Sequence, residues 1–104
     1  MGEFRRAARL QDIPPPERGG LRVWVDGIPV GLFRWEGQVY AIEDVCTHEE
    51  TPLTEGEVEE GAVICPRHGA RFDLRTGRAL CLPAVLPVRV FEVRVEGEDV
   101  YVRV

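Results

Sequence analysis

Two short runs hold all the imidazole chemistry of this chain and two of its three thiols: Cys46-Thr47-His48 and Cys65-Pro66-Arg67-His68, with sixteen residues between His48 and Cys65. Each run supplies one thiolate and one imidazole. Because the only two histidines in the sequence both fall in this pattern, separate structural roles for them are a poor explanation. Two ligands from each of two loops can chelate one metal ion or one small cluster, and the ligand types decide which. A tetrahedral zinc ion can take two Cys and two His, but its usual pattern puts two Cys on one loop and two His on another. Here each loop is mixed. Two irons bridged by two sulfides need two protein ligands each, and one Cys plus one His from each loop allows one iron with both Cys and one with both His. Pro66, Gly69 and Gly77 suit tight loops whose backbone N–H groups can point at sulfur.

The remaining candidates have plainer readings. Cys81 reads as a buried small hydrophobe beside Leu80 and Leu82. The alternative is a reactive thiol or a third-loop contributor to the cluster wall, with Leu82-Pro83 shielding the site from water. Trp24 and Trp35 read as core or half-buried sheet packing rather than relay aromatics. Glu49-Glu50 invites acid/base chemistry, but nothing else resembles a substrate pocket, and the pair reads as a solvated loop. Residues 43–60 carry eight acidic side chains and no basic one, whereas residues 61–78 carry Arg67, Arg71, Arg75 and Arg78 against Asp73 alone. These read as two solvated faces.

The elements that must position the ligands are strands. Leu21 to Val25 alternates, Asp26-Gly27 is a hairpin signal, Ile28 to Trp35 resumes, and Glu36-Gly37 turns into Val39 to Ile42. Val88 to Val95, a turn at Glu96 to Asp99, and Val100 to Val104 form a second hairpin. No window holds a sustained period of 3.6 residues with caps, so the expected fold class is all-β. Between the outer strands, residues 44–87 contain every Cys and His and read as an insertion of loops in one 1–104 domain.

At 104 residues, 44% hydrophobic and 30% charged, the composition is that of one globular domain. A net charge of −5 argues against nucleic acid as a partner. No stretch approaches the roughly 20 apolar residues of a membrane helix, which excludes a spanning helix. Arg5-Arg6 lacks the apolar region of an export signal, so a cytoplasmic location is expected, where an odd cysteine count points to metal or redox use.

Cys-Thr-His followed by Cys-Pro-Arg-His-Gly-Ala-Arg-Phe-Asp resembles the signature of Rieske 2Fe-2S proteins. The resemblance continues from about Ile28 through the Asp73 to Gly77 turn and the Ala79 to Ala84 segment to the closing strands. It implies the Rieske fold, three antiparallel sheets with a small cluster-binding subdomain inserted in a β base. It also implies one 2Fe-2S cluster, with Cys46 and Cys65 on one iron and His48 and His68 on the other. Rieske proteins of respiratory bc complexes carry an extra disulfide-forming cysteine in each loop, where this chain has Thr51 and Arg67. The same relatives place hydroxyl donors where this chain has Ala70 and Phe72. The chain is thus similar to the low-potential ferredoxins that serve bacterial ring-hydroxylating dioxygenases.

That resemblance implies a one-electron carrier, not itself an enzyme, passing electrons from a flavin-dependent ferredoxin reductase to a terminal oxygenase. With all its histidines used, the chain has none left for an oxygenase iron triad. Two competitors remain at this point: a small redox subunit of a nitrite reductase or other oxidoreductase complex, and a structural Cys2His2 zinc domain.

Overall fold

The computed structural model describes residues 2–47, 51–67, 69–82, 84 and 86–104. Among the described residues nine strands carry the fold: β1 (Arg5–Arg9), β2 (Leu21–Val25), β3 (Ile28–Trp35), β4 (Gln38–Glu43), β5 (Val58–Glu59), β6 (Ala62–Ile64), β7 (Arg71–Asp73), β8 (Val90–Glu96) and β9 (Asp99–Arg103). Among the described residues the helical elements are short 3-10 turns; no helix there is long and apolar enough to cross a membrane. The fold class is all-β.

Six strands run antiparallel in the order β1-β9-β8-β4-β3-β2, and β5-β6-β7 form a separate small sheet. Strand β8 serves two neighbours along its length. Val90 and Phe91 pair with Ile42 and Ala41 of β4, whereas Glu92 to Glu96 pair with β9. The long sheet therefore bends at β8 into two, which with β5-β6-β7 makes three antiparallel sheets. Its outer strands come back toward each other, and Arg5 of β1 reaches Asp26 at the end of β2 at 3.3 Å.

The hairpin signals act as their chemistry dictates. Asp26-Gly27, Glu36-Gly37 and Glu60-Gly61 all have both residues at positive φ, the type I′ geometry whose twist matches the flanking strands. A glutamate in that region is less comfortable than Asn or Asp.

Two cores lie on opposite sides of the β3-β4 pair. Val30 and Leu32 of β3 and Ala41 of β4 join Ala8, Ile13, Val25, Val100 and Val102 in a base core. Phe33 and Ile42 turn the other way and join Cys46, Leu53, Val58, Val63, Cys65, Ala70, Phe72, Leu74, Ala84 and Val88. Successive strand residues point to opposite faces, so Val30, Gly31, Leu32 and Phe33 are all buried. That two-sided burial is why this strand has no clean apolar-polar alternation.

Arg5-Arg6 begins an edge strand, held by ion pairs of Arg6 with Asp99 at 3.0 Å and Arg9 with Glu98 at 3.6 Å. The structure corrects three readings. Residues 44–87 are more than loops, since they contain the three short strands β5 to β7. The last hairpin starts at Val90; Val88 instead donates its N–H to Gly77 O at 2.9 Å. Trp24 is 64% exposed, on the outward face of edge strand β2, with the Arg22 guanidinium 5.0 Å from its ring centroid.

Candidate metal centre

Each cysteine of the motif stands just beyond a strand, at the foot of a loop closed by backbone hydrogen bonds. Cys46 follows β4, and its N–H donates to Thr51 O at 2.8 Å. Cys65 follows β6; its N–H donates to Ala70 O at 2.7 Å while its own carbonyl accepts from Gly69 N–H at 3.0 Å. The second loop thus reverses within six residues. Gly69, at φ +75°, supplies a left-handed backbone step that a side chain disfavours. Gly77 makes the comparable turn after β7, where an added Cβ would stand 2.2 Å from Val88 O. The sequence expectation of tight loops at these glycines holds.

Both thiols are buried, Cys46 at 0% and Cys65 at 2% exposure, in the same apolar cluster. His48 and His68 lie outside the described residues, as do Glu49, Glu50 and Pro83. Ala70 and Phe72 are fully buried in the cluster that contains the two thiols. Thr51 is half-buried and Arg67 exposed, and neither supplies a sulfur. The donor set of two thiols and two imidazoles, one of each per loop, fits the mixed ligation of a Rieske-type 2Fe-2S cluster.

The segment after β7 joins both motif loops. Thr47 Oγ1 donates to Leu86 O at 2.8 Å, and Cys81 Sγ sits 3.6 Å from Gly69 O. Its side chains differ from the sequence reading. Cys81 is exposed rather than buried, and Leu82 is 76% exposed, with Leu80 and Leu86 also largely outside. Leu82 therefore buries little of its surface against the described residues.

The charge pattern has one exception to solvated faces. Asp44, two residues before Cys46, is the buried charged side chain of the described residues. It accepts from Thr54 N–H and Thr54 Oγ1, both at 2.8 Å, and faces Arg22 Nε at 3.4 Å. Asp73 is a turn-former, accepting from the N–H groups of Arg75 at 2.7 Å and Thr76 at 3.2 Å.

A mixed Cys/His motif on two closed loops beside an antiparallel base is the architecture of a small iron-sulfur domain. Residues 3–92 match the Rieske [2Fe-2S] domain family, and the chain belongs to that family; its cofactor is one Rieske-type 2Fe-2S cluster. The structural zinc reading is thereby set aside. The chain is 45% identical over 98 residues to the 3-phenylpropionate/cinnamic acid dioxygenase ferredoxin subunit of Escherichia coli (strain K12), covering 92% of this chain and 89% of that one. Its structure is similar to the ferredoxin of carbazole 1,9a-dioxygenase from Nocardioides aromaticivorans IC177, with TM-score 0.84, 38% identity and 96% of each chain covered. It is also similar to a chain in a complex of reduced oxygenase and oxidized ferredoxin of carbazole 1,9a-dioxygenase, with TM-score 0.85, 35% identity and coverage of 96% of this chain and 92% of that one.

Proposed function

We propose that this chain is the ferredoxin component of a ring-hydroxylating dioxygenase system, an electron carrier that takes single electrons from a flavin-dependent ferredoxin reductase and gives them to a terminal oxygenase. The observation that carries this reading is the burial of Cys46 and Cys65 in one core beneath two closed loops of a Cys-x-His and Cys-x-x-His motif. The relatives named as ferredoxin subunits of dioxygenases support it across nearly the whole chain.

Cys46 and Cys65 would supply two thiolates and His48 and His68 two imidazoles, within a cluster-binding subdomain spanning about residues 44–87. When bound, the cluster supplies reversible one-electron chemistry. The chain's own residues then do three things. The loop core keeps water from the thiolates, because Phe33, Phe72, Leu53 and Val63 pack around them with no exposed surface. Ala70 and Phe72 offer no hydroxyl to the sulfurs, and this favours a low potential within the Rieske class. Leu80, Leu82 and Leu86 present an apolar rim next to both ligand loops, where an oxygenase would dock.

The test is the aerobically purified protein. It should be red-brown, hold two irons and two acid-labile sulfides per chain, and on reduction give the low-average-g EPR signal of mixed Cys/His ligation. A colourless protein with one tightly held zinc would overturn the reading. Electron delivery to an oxygenase, with cytochrome reduction as a non-specific control, separates this component from a subunit of another oxidoreductase.

A further inference from the structure

We infer that Asp44 is the positioning residue of the first ligand loop, acting through a clamp on Thr54 whose charge is balanced by Arg22. The inference rests on the cluster site proposed above. It starts from burial, since a carboxylate with no exposed surface needs strong partners or it costs more than a fold can spare. Asp44 has them on both oxygens. One oxygen takes the Thr54 N–H at 2.8 Å, the other the Thr54 hydroxyl at 2.8 Å, and Arg22 Nε approaches that second oxygen at 3.4 Å.

These contacts join three parts of the chain around one side chain. Arg22 comes from β2, the Asp44 N–H donates to Pro29 O of β3 at 2.9 Å, and Thr54 lies in the 3-10 turn Leu53–Glu55. Thr54 is itself held from behind, its carbonyl accepting from Gly20 N–H at 3.0 Å. Its methyl group rests over Gly31, where an added Cβ would come within 2.9 Å of Thr54 Cγ2. The loop is therefore closed twice. Asp44 and Thr54 make an outer rung, Cys46 and Thr51 an inner one with N–H to O at 2.8 Å.

Residues 45–53 lie between these rungs in sequence, and Cys46 is among the described ones. The inner rung fixes the Cys46 backbone, and the outer rung fixes the frame to which that backbone is attached. A carboxylate suits this place because its two oxygens accept from a backbone and a side-chain donor at once, whereas Asn accepts only through its one oxygen and must donate an amide N–H to the hydroxyl. The Arg22 charge matters because Thr54 supplies hydrogen bonds but no countercharge to the buried carboxylate.

The experiment compares cluster-loaded wild type with Asp44→Asn, Thr54→Val, Arg22→Gln, Arg22→Lys and the Asp44→Asn/Arg22→Gln double variant. Readouts are the rate of iron release to a chelator, the EPR g-values, the midpoint potential and thermal unfolding of the β fold. Groups that orient metal ligands typically change affinity by 10- to 100-fold. Asp44→Asn should release iron about tenfold faster with shifted g-values, and Thr54→Val should do so to a smaller degree. Arg22→Gln strands the buried charge and should be worse than the double variant, whereas Arg22→Lys should restore wild-type release. Variants that melt earlier yet keep wild-type release rates, g-values and potential would make Asp44 an ordinary fold residue and overturn the inference. If Asp44→Asn fails to fold, the Arg22→Gln and Arg22→Lys pair still decides. Wild type without iron and sulfide would instead overturn the cluster site itself.

Discussion

The base and the loop region of this molecule solve different problems on the two sides of one strand pair. The base is held by long ladders, with five cross-strand pairs between β2 and β3 and six between β3 and β4, and its core is aliphatic. The loop region has ladders of only two or three residue pairs, and it relies on backbone closures at Cys46 and Cys65, the Asp44 clamp, and a core that includes both thiols. Regular pairing should let the base hold its fold whether or not a ligand is bound. The loops trade regularity for two buried thiols, Cys46 and Cys65, and the price is dependence on single contacts.

The largest effect should come from the ligands. Cys46→Ser, Cys65→Ser, His48→Ala and His68→Ala should each lose the cluster or leave it labile, read by iron and sulfide content, while far-UV circular dichroism still reports the base sheet. Cys81→Ser should keep the cluster. Collapse of the whole β signal in a ligand variant would break the distinction between a self-sufficient base and dependent loops.

A second test addresses the two faces of β3 directly. Leu32→Ala removes a base-core side chain and should cost about 2 to 5 kcal/mol, and Phe33→Ala removes a loop-core one at about 3 to 5 kcal/mol, both read by denaturant unfolding. The costs should be similar. The discriminating readout is cluster retention, which should fall in Phe33→Ala and stay near wild type in Leu32→Ala.

A finer test concerns Ala70 and Phe72. Reduction adds negative charge, so a hydrogen bond to sulfur favours the reduced state. A hydrogen bond to a charged group is worth about 1.5 to 3 kcal/mol, and for one electron about 1.4 kcal/mol corresponds to roughly 59 mV. Part of that is cancelled because the oxidised state accepts the bond too. Ala70→Ser and Phe72→Tyr should each raise the midpoint potential by about 20 to 60 mV. Phe72 is fully buried, so a hydroxyl there that found no partner would cost stability instead. A lowered melting temperature with an unmoved potential would show that outcome.

The smallest expected effect lies at the surface. Leu82→Ser should slow electron delivery to an oxygenase several-fold at unchanged potential if the apolar rim docks. Arg67→Gln and added salt then report any electrostatic steering. Insensitivity of delivery to Leu82→Ser would remove the rim from the proposed docking face.

Legibility in the sequence follows the same division. Strands β2, β3, β4, β8 and β9 and the turns between them could be read because long ladders impose alternation and X-Gly turns mark their ends. Strand β1 could not, since Arg-Arg-Ala-Ala-Arg has little apolar character and is fixed by partners more than ninety residues away, as Arg6 with Asp99. Strands β5 to β7 are too short to show a period. The motif pointed to the family that the chain belongs to, and the structure puts its two cysteines in one core. Cys81 is exposed where the sequence suggests burial, because apolar letters in a loop carry no period from which a face can be assigned. Asp44 passed as one more acid beside Glu43, for only the Thr54 turn folding back over Gly31 distinguishes them.

The two-sided β3-β4 pair also determines how portable this redox module is. Val30, Leu32 and Ala41 speak to one core and Phe33 and Ile42 to the other, so the pair is a shared wall rather than a boundary. Swapping the base for an unrelated aliphatic filling should be tolerated as long as volume and pattern are kept. Transplanting the loops onto another scaffold is harder, because the graft must bring the far side of the wall with it. Gly31, Phe33 and Ile42 belong to the transplant although they lie outside the segment that carries the motif.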